Sequence, residues 1–237
     1  GIILSRTLRL RGIGESSVAE IIDDLIVNQT NPTLAIYARR GEIIIRITAK
    51  AVDATAATVM LDEGEAALRE RLEKYIYGVD DESLASCLGK ELLEQHKTIS
   101  FAESCTGGLA SSLVTDIAGS SEYLIGSIVT YTNEAKHNLL KVNEATLSAY
   151  GAVSEETALE MAQGVRKLFG SDYGVGITGN AGPGGSEGKP VGLVYIAIAT
   201  PDEVYCKEFN FTSTRVENKL RIALTAISMV IDKLKEN

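Results

Sequence analysis

The sequence predicts an α/β protein: a three-layer domain with a sheet covered by helices on both faces, preceded by a small α+β domain. Three observations carry that expectation. From residue 98 onward, short apolar runs alternate with stretches of helical period, the order expected of strands joined by covering helices. Residues 191–199 are apolar at nearly every position, as suits a strand buried on both sides. Aromatic residues make up 5% of the chain and tryptophan is absent, while alanine, glycine, valine and isoleucine are plentiful, which favours close α/β layers over an aromatic-rich sandwich.

Taken in order, Arg6, Arg9 and Arg11 alternate with Leu8 and Leu10 as an amphipathic strand with one basic face, broken by Gly12 and Gly14. Residues 15–27 read as a helix capped by Ser16 or Ser17, with Val18, Ile21, Ile22, Leu25 and Ile26 on one apolar stripe. Residues 33–38 and 42–49 form a hairpin turned by Arg39-Arg40-Gly41, and residues 53–77 a long charged helix. Together these make an α+β module over residues 1–77. Gly78-Val79-Asp80-Asp81 is polar and turn-prone and marks the boundary, so the second domain takes residues 78–237. Helices are expected there at 81–95, 108–117, 134–141, 154–169 and 215–235, and strands at 98–102, 127–132, 173–177, 191–200 and 204–211.

A formal net charge of -9 argues against a surface devoted to nucleic acid or anionic membranes, although local donors can still hold a small anion. Cys87, Cys105 and Cys206 are odd in number and widely spaced, and only His96 and His137 accompany them. Neither a disulfide framework nor a metal site follows, and a reducing, cytoplasmic setting fits. No run of about 18 apolar residues appears. The chain opens Gly1-Ile2-Ile3-Leu4 without methionine, which fits a fragment or a processed product.

Four loops gather the candidate chemistry. An apolar strand runs into Ser104-Cys105-Thr106-Gly107-Gly108 and then a helix, an arrangement that points free backbone N–H groups at a ligand and sets a hydroxyl or thiol among them. Gly119-Ser120-Ser121 follows the helix end marked by Gly119. Tyr131-Thr132-Asn133-Glu134-Ala135-Lys136 caps a helix at Asn133 and puts Lys136 in its first turn, where the helix dipole disfavours the ammonium and burial would yield a neutral base. Thr178-Gly179-Asn180-Ala181-Gly182-Pro183-Gly184-Gly185, ending in Lys189-Pro190, is too long for a simple turn and reads as a binding loop. Arg215, opening the last helix, is placed to reach the same region and suits phosphate. A serine, a lysine base and backbone donors suffice for acyl transfer without histidine or metal. The rival is Cys105 with His137, but a buried cysteine more often packs as a small hydrophobe, and His137 lies about 100° round the helix from Lys136.

In order and spacing, Ala102-Glu103-Ser104-Cys105-Thr106-Gly107-Gly108, Gly119-Ser120-Ser121-x-Tyr123, Tyr131-x-Asn133-x-x-Lys136, Gly151-Ala152-Val153-Ser154-Glu155, Gly179-x-Ala181-Gly182-Pro183-Gly184-Gly185 and Lys189-Pro190-Val191-Gly192 closely resemble the C-terminal domain of the CinA family. These are nicotinamide mononucleotide amidohydrolases. The first half resembles the KH-type domain that precedes it in full-length members, and their N-terminal molybdopterin-binding-like domain is missing. The resemblance implies Ser104 as nucleophile and Lys136 as general base, with no cofactor. It also places Ser121, Tyr131 and Thr178 along the pocket; Cys105, Thr106, Gly107, Gly108, Gly179 and Asn180 are further candidates for substrate contact, and Arg215 is the candidate for the phosphate. Two departures stand out: Thr178 replaces a serine, and Phe211-Thr212-Ser213-Thr214-Arg215 lacks the Gly-Asp pair that many relatives carry before the arginine.

The reading is therefore a cytoplasmic amidase, expected as a homodimer, that hydrolyses the carboxamide of nicotinamide mononucleotide in pyridine nucleotide recycling. The alternatives are a nucleic-acid-binding module, against which the KH-type Gly-x-x-Gly loop is not evident, and a mononucleotide binder without turnover.

Overall fold

The computed structural model describes residues 1–237 and divides into two compact units, Gly1–Leu84 and Ala85–Asn237. In the first unit the strands are β1 (Ile2–Leu10), β2 (Thr33–Arg39), β3 (Glu42–Ala51) and β4 (Ile76–Val79). They form one antiparallel sheet in the order β2-β3-β1-β4. The helices are α1 (Glu15–Ile21), α2 (Asp23–Val27) and α3 (Ala54–Leu72). Leu8, Leu10, Ile45, Ile47, Leu61 and Leu68 fill the core between sheet and helices.

Three expectations change here. The helix over 15–27 breaks into two at Ile22, whose backbone leaves the helical range (φ -109°, ψ 17°), and its cap is Gly14 rather than Ser16 or Ser17. The helix over 53–77 stops at Leu72, and Ile76–Val79 becomes an edge strand on β1. The stretch read as a linker is thus partly inside the sheet, and Asp80 exchanges two bonds with Thr7, through its side chain (2.8 Å) and its amide (2.7 Å). The charges of 69–74 carry the helical period up to that point and mask the short alternating segment behind them. The basic face of β1 is also neutralised within the unit: Arg6 pairs with Asp62 and Glu65, and Arg9 with Glu42.

The second unit is built on a five-stranded mixed sheet in the order β6-β5-β7-β8-β9. Its strands are β5 (Ile99–Glu103), β6 (Leu124–Val129), β7 (Tyr173–Gly179), β8 (Leu193–Ala199) and β9 (Val204–Asn210). β5 runs parallel to both β6 and β7, β8 returns antiparallel to β7, and β9 is antiparallel to β8. Helices α4 (Leu84–Glu94), α5 (Leu109–Thr115), α6 (Asn133–Leu140), α7 (Glu144–Tyr150), α8 (Glu155–Phe169) and α9 (Arg215–Lys235) accompany the sheet. No helix is long and apolar enough to cross a membrane.

One face of the sheet belongs to α8. Gly174 and Gly176 of β7 present bare backbone to it, and a Cβ at either would come within 2.4 and 2.5 Å of the Ala162 and Ala158 carbonyl oxygens. Ala197 and Ala199 continue the small-residue strip on β8, so the helix lies almost on the sheet backbone. The opposite side chains of β5, Phe101 and Glu103, face α5. Strand β6 sits three residues earlier than its sequence pattern suggests. Gly126, just outside the expected strand, is a strand residue that leaves room for the Phe169 ring.

Candidate active site

The parallel strands β5, β6 and β7 deliver their carboxyl ends to one place, where open α/β sheets collect ligands. β5 ends at Glu103, and Ser104 continues beside β7 through its amide on the Ile177 carbonyl (3.0 Å). β6 ends at Val129. Thr130 and Tyr131 then lead to Thr132, whose hydroxyl accepts from the Ala135 amide (3.1 Å) and caps α6, a role the sequence pattern assigns to Asn133. Lys136 falls in the first turn of that helix and points back under it.

There the Lys136 Nζ lies 2.9 Å from Ser104 Oγ, 2.8 Å from the Thr130 carbonyl oxygen and 3.3 Å from that of Tyr131. The side chain is only 1% exposed although it carries an amine. Burial pulls Lys136 down to about 8, against the opposing influence of Cys105 and Glu187. Burial likewise pushes the Cys105 thiol up to about 12, so near pH 8 it is uncharged and Glu187 is the anion that acts on the amine. In the neutral amine the two N–H groups satisfy the two carbonyls, and the remaining lone pair faces the Ser104 hydroxyl.

The turn that carries Ser104 closes through the Gly107 amide on the Ser104 carbonyl (3.0 Å). Gly107 and Gly108 hold φ of +61° and +98°, left-handed conformations that account for both glycines without invoking a ligand. The free amides are not where the sequence pattern puts them. At the start of α5 the Ala110 and Ser111 amides donate to Glu103, at 2.8 and 3.0 Å, whereas those of Cys105 and Thr106 bond to no other residue. The Thr106 hydroxyl is committed to Glu103, to which it donates (2.6 Å).

The other candidates divide. Thr178 is buried at the end of β7 and its hydroxyl donates to the Ala152 carbonyl (2.7 Å). Tyr131 and Arg215 meet at the rim: Arg215 donates to the Tyr131 hydroxyl (3.0 Å) and to the Gly182 carbonyl (2.5 Å). Gly179 packs against Val194, and the Asn180 side chain braces its own loop through Pro190 (3.3 Å) and Ser186 (2.6 Å). Ser121 is a correction. It precedes β6, whose Leu124 pairs with Ile99, so within one chain it lies at the opposite end of the sheet from Ser104, roughly 15 Å away at about 3.3 Å per strand residue. His137 also faces elsewhere, with Nδ1 2.7 Å from the Val142 carbonyl.

Two residues escape the sequence reading. Glu103 is fully buried and collects four donors, and Asn218 is fully buried and ties Ser213 to Ala181 at 3.0 Å each. Asn218 and the Thr214 cap of α9 hold the altered segment before Arg215 in place of the missing Gly-Asp pair. Strand alternation could have put Glu103 on the α5 face. A cavity of about 600 Å³ opens nearby, but Glu155, Glu156 and Glu208 border it, and Lys189 there is held by Tyr150, Val153 and Glu187. An anion is better received at Arg215.

The second unit is therefore an α/β domain with a buried serine–lysine pair at the carboxyl ends of its parallel strands. The chain belongs to the CinA family: residues 81–234 match the CinA C-terminal domain and residues 5–78 the damage-inducible protein CinA KH domain. It is 47% identical over 231 residues to a putative competence-damage inducible protein of Clostridium acetobutylicum, and 46% identical over 234 residues to a CinA-like protein of Prochlorococcus marinus. These alignments take in 97% and 96% of the chain but 56% and 55% of the relatives, so the chain spans little more than half their length. Among solved structures, a CinA superfamily protein of Klebsiella pneumoniae superposes with TM-score 0.64 at 30% identity, covering 65% of this chain and 97% of its own. A competence/damage-inducible protein of Agrobacterium tumefaciens does so with TM-score 0.62 at 41% identity, covering 64% of this chain and 93% of its own.

Proposed function

We propose that the second unit hydrolyses the carboxamide of nicotinamide mononucleotide to nicotinic acid mononucleotide and ammonia, using Ser104 as nucleophile and Lys136 as general base. The observation that carries this reading is the 2.9 Å approach of a fully buried amine to the Ser104 hydroxyl. Neutral Lys136 takes the Ser104 proton as Oγ attacks the carboxamide carbon. The amides of Cys105 and Thr106 are free to receive the oxyanion. Protonated Lys136 then gives its proton to the departing nitrogen, ammonia leaves, and water, deprotonated in turn by Lys136, releases the acid from the acyl-Ser104 ester.

The nucleotide part of the reading rests on the family resemblance and on Arg215, an exposed guanidinium at the rim suited to a phosphate. Cys105 is the weaker nucleophile because its thiol stays protonated to about 12. The pairing of Arg6 and Arg9 with carboxylates weighs against nucleic-acid binding by the first unit.

Ammonia release from nicotinamide mononucleotide is the test, with wild type beside Ser104→Ala and Lys136→Met. Activity in wild type alone supports the reading. A wild type that is stabilised by the mononucleotide yet releases no ammonia is a binding protein, and the assignment fails.

A further inference from the structure

Glu103 is the last residue of β5, next to the nucleophile, fully buried, and no basic side chain pairs with it. Its charge is held by donors alone. One oxygen accepts from the Thr106 hydroxyl (2.6 Å) and the Ala110 amide (2.8 Å), the other from the Ser111 amide (3.0 Å) and the Ser111 hydroxyl (2.6 Å). Four donors converging on two oxygens match a carboxylate and no other side chain. Three of the bonds go to α5 and by themselves would make Glu103 a helix cap. The fourth does not: it reaches into the turn between Ser104 and Gly107 and fixes a residue whose amide bonds to no other residue. On its other side, the Glu103 carbonyl accepts from the Thr130 amide (3.0 Å), and the Thr130 carbonyl accepts from Lys136. One residue thus touches the supports of both the hydroxyl and the amine.

We propose that Glu103 is a positioning residue for this site, acting through the Thr106 hydroxyl to hold Ser104 and the Cys105 and Thr106 amides in register with Lys136. The inference rests on the amidase reading above and adds to it a fixed anion that shapes the turn without meeting substrate. Thr106, expected among the substrate contacts, is by this account the connecting strut, its side chain committed inward.

The two ends of the Glu103 network can be cut separately. Thr106→Val removes the bond to the turn and leaves the α5 bonds, Thr106→Ser keeps the hydroxyl, and Ser111→Ala keeps the Thr106 bond while removing the Ser111 hydroxyl's bonds to Glu103, the Gly108 carbonyl (3.1 Å) and Ser127 (2.8 Å). Displacing a nucleophile even slightly costs much in rate, so Thr106→Val is expected to lower kcat at least about tenfold with KM changed less than about twofold. Thr106→Ser restores kcat, and Ser111→Ala lowers the melting temperature while keeping kcat. Retention of kcat in Thr106→Val overturns the proposal, as does a loss in all three variants that tracks melting temperature. If wild type releases no ammonia, the amidase reading fails. The same variants are then compared by the rate at which phenylmethylsulfonyl fluoride sulfonylates Ser104, read by mass spectrometry. Slower labelling in Thr106→Val alone supports the positioning role, and equal rates, or an unreactive wild-type Ser104, overturn it.

Discussion

Lys136→Met separates the electrostatic account of the site from a merely geometric one. Burial lowers the Lys136 pKa from 10.5 to about 8 in the folded protein, while the unfolded chain keeps the ordinary value. At about 1.4 kcal/mol per pH unit, that gap means the folded state is penalised by roughly 3 kcal/mol whenever the lysine is protonated in both states. The sign follows from proton counts. Below pH 8 both states hold the proton and the penalty is complete; between about 8 and 10.5 the folded state has released it and the unfolded state has not, so stability rises with pH. Methionine has no such titration, although it also leaves the Thr130 carbonyl short of a donor, a loss that does not vary with pH. The difference in unfolding free energy between wild type and Lys136→Met, measured by urea denaturation from pH 7 to 11, should therefore shift toward wild type by about 3 kcal/mol. In parallel, kcat/KM of wild type should rise through an apparent pKa near 8, because only the neutral amine accepts the Ser104 proton. A difference that stays flat across this range, or an acid limb below about pH 6, would refute the burial argument.

Three further outcomes follow from the same geometry. Cys105→Ala should keep ammonia release within about threefold of wild type, and iodoacetamide should leave the wild-type Cys105 unmodified at pH 8, because the thiol is protonated to about 12. Arg215→Met should raise KM for nicotinamide mononucleotide about tenfold or more at similar kcat, while leaving the phosphate-free riboside unaffected; an equal effect on both would remove Arg215 from the phosphate. Gly176→Ala places a methyl 2.5 Å from the Ala158 carbonyl oxygen and should cost about 2–3 kcal/mol in thermal or urea unfolding, and a neutral effect would contradict the packing of α8 on β7.

The second unit was largely legible because its strands are apolar and its helices periodic: α9 begins and ends at the residues its pattern specifies, Arg215 and Lys235. The failures share a cause. Ile76–Val79 pairs as a strand with the edge of β1, and Gly126 pairs with Ser100 of β5 while leaving space for Phe169, so both depend on partners distant in the chain. At the site, Ser104 and Lys136 were readable because Ser104 opens the loop after one apolar strand and Lys136 lies near the start of the helix that follows another. Ser121, taken from the family resemblance, lies at the far end of the sheet within one chain, because a matching motif does not say which end of a strand a loop occupies. Glu103 was overlooked because a charged residue at a strand end reads as solvated until the donors of α5 are known to surround it.

The contact between α8 and the bare backbone of β7 has a mechanical consequence. Further along the same helix, Gly164 abuts the carbonyl of Leu140 at the end of α6, where a Cβ would come within 2.2 Å. A single rod is therefore clamped at one point to the strand beside the nucleophile and at another to the helix bearing the amine, with main-chain atoms at both clamps. Side chains can absorb a displacement by changing rotamer; main chain against main chain cannot. Ser104 and Lys136 are thereby tied to one rod, and substitutions far along it become a means of adjusting the distance between them.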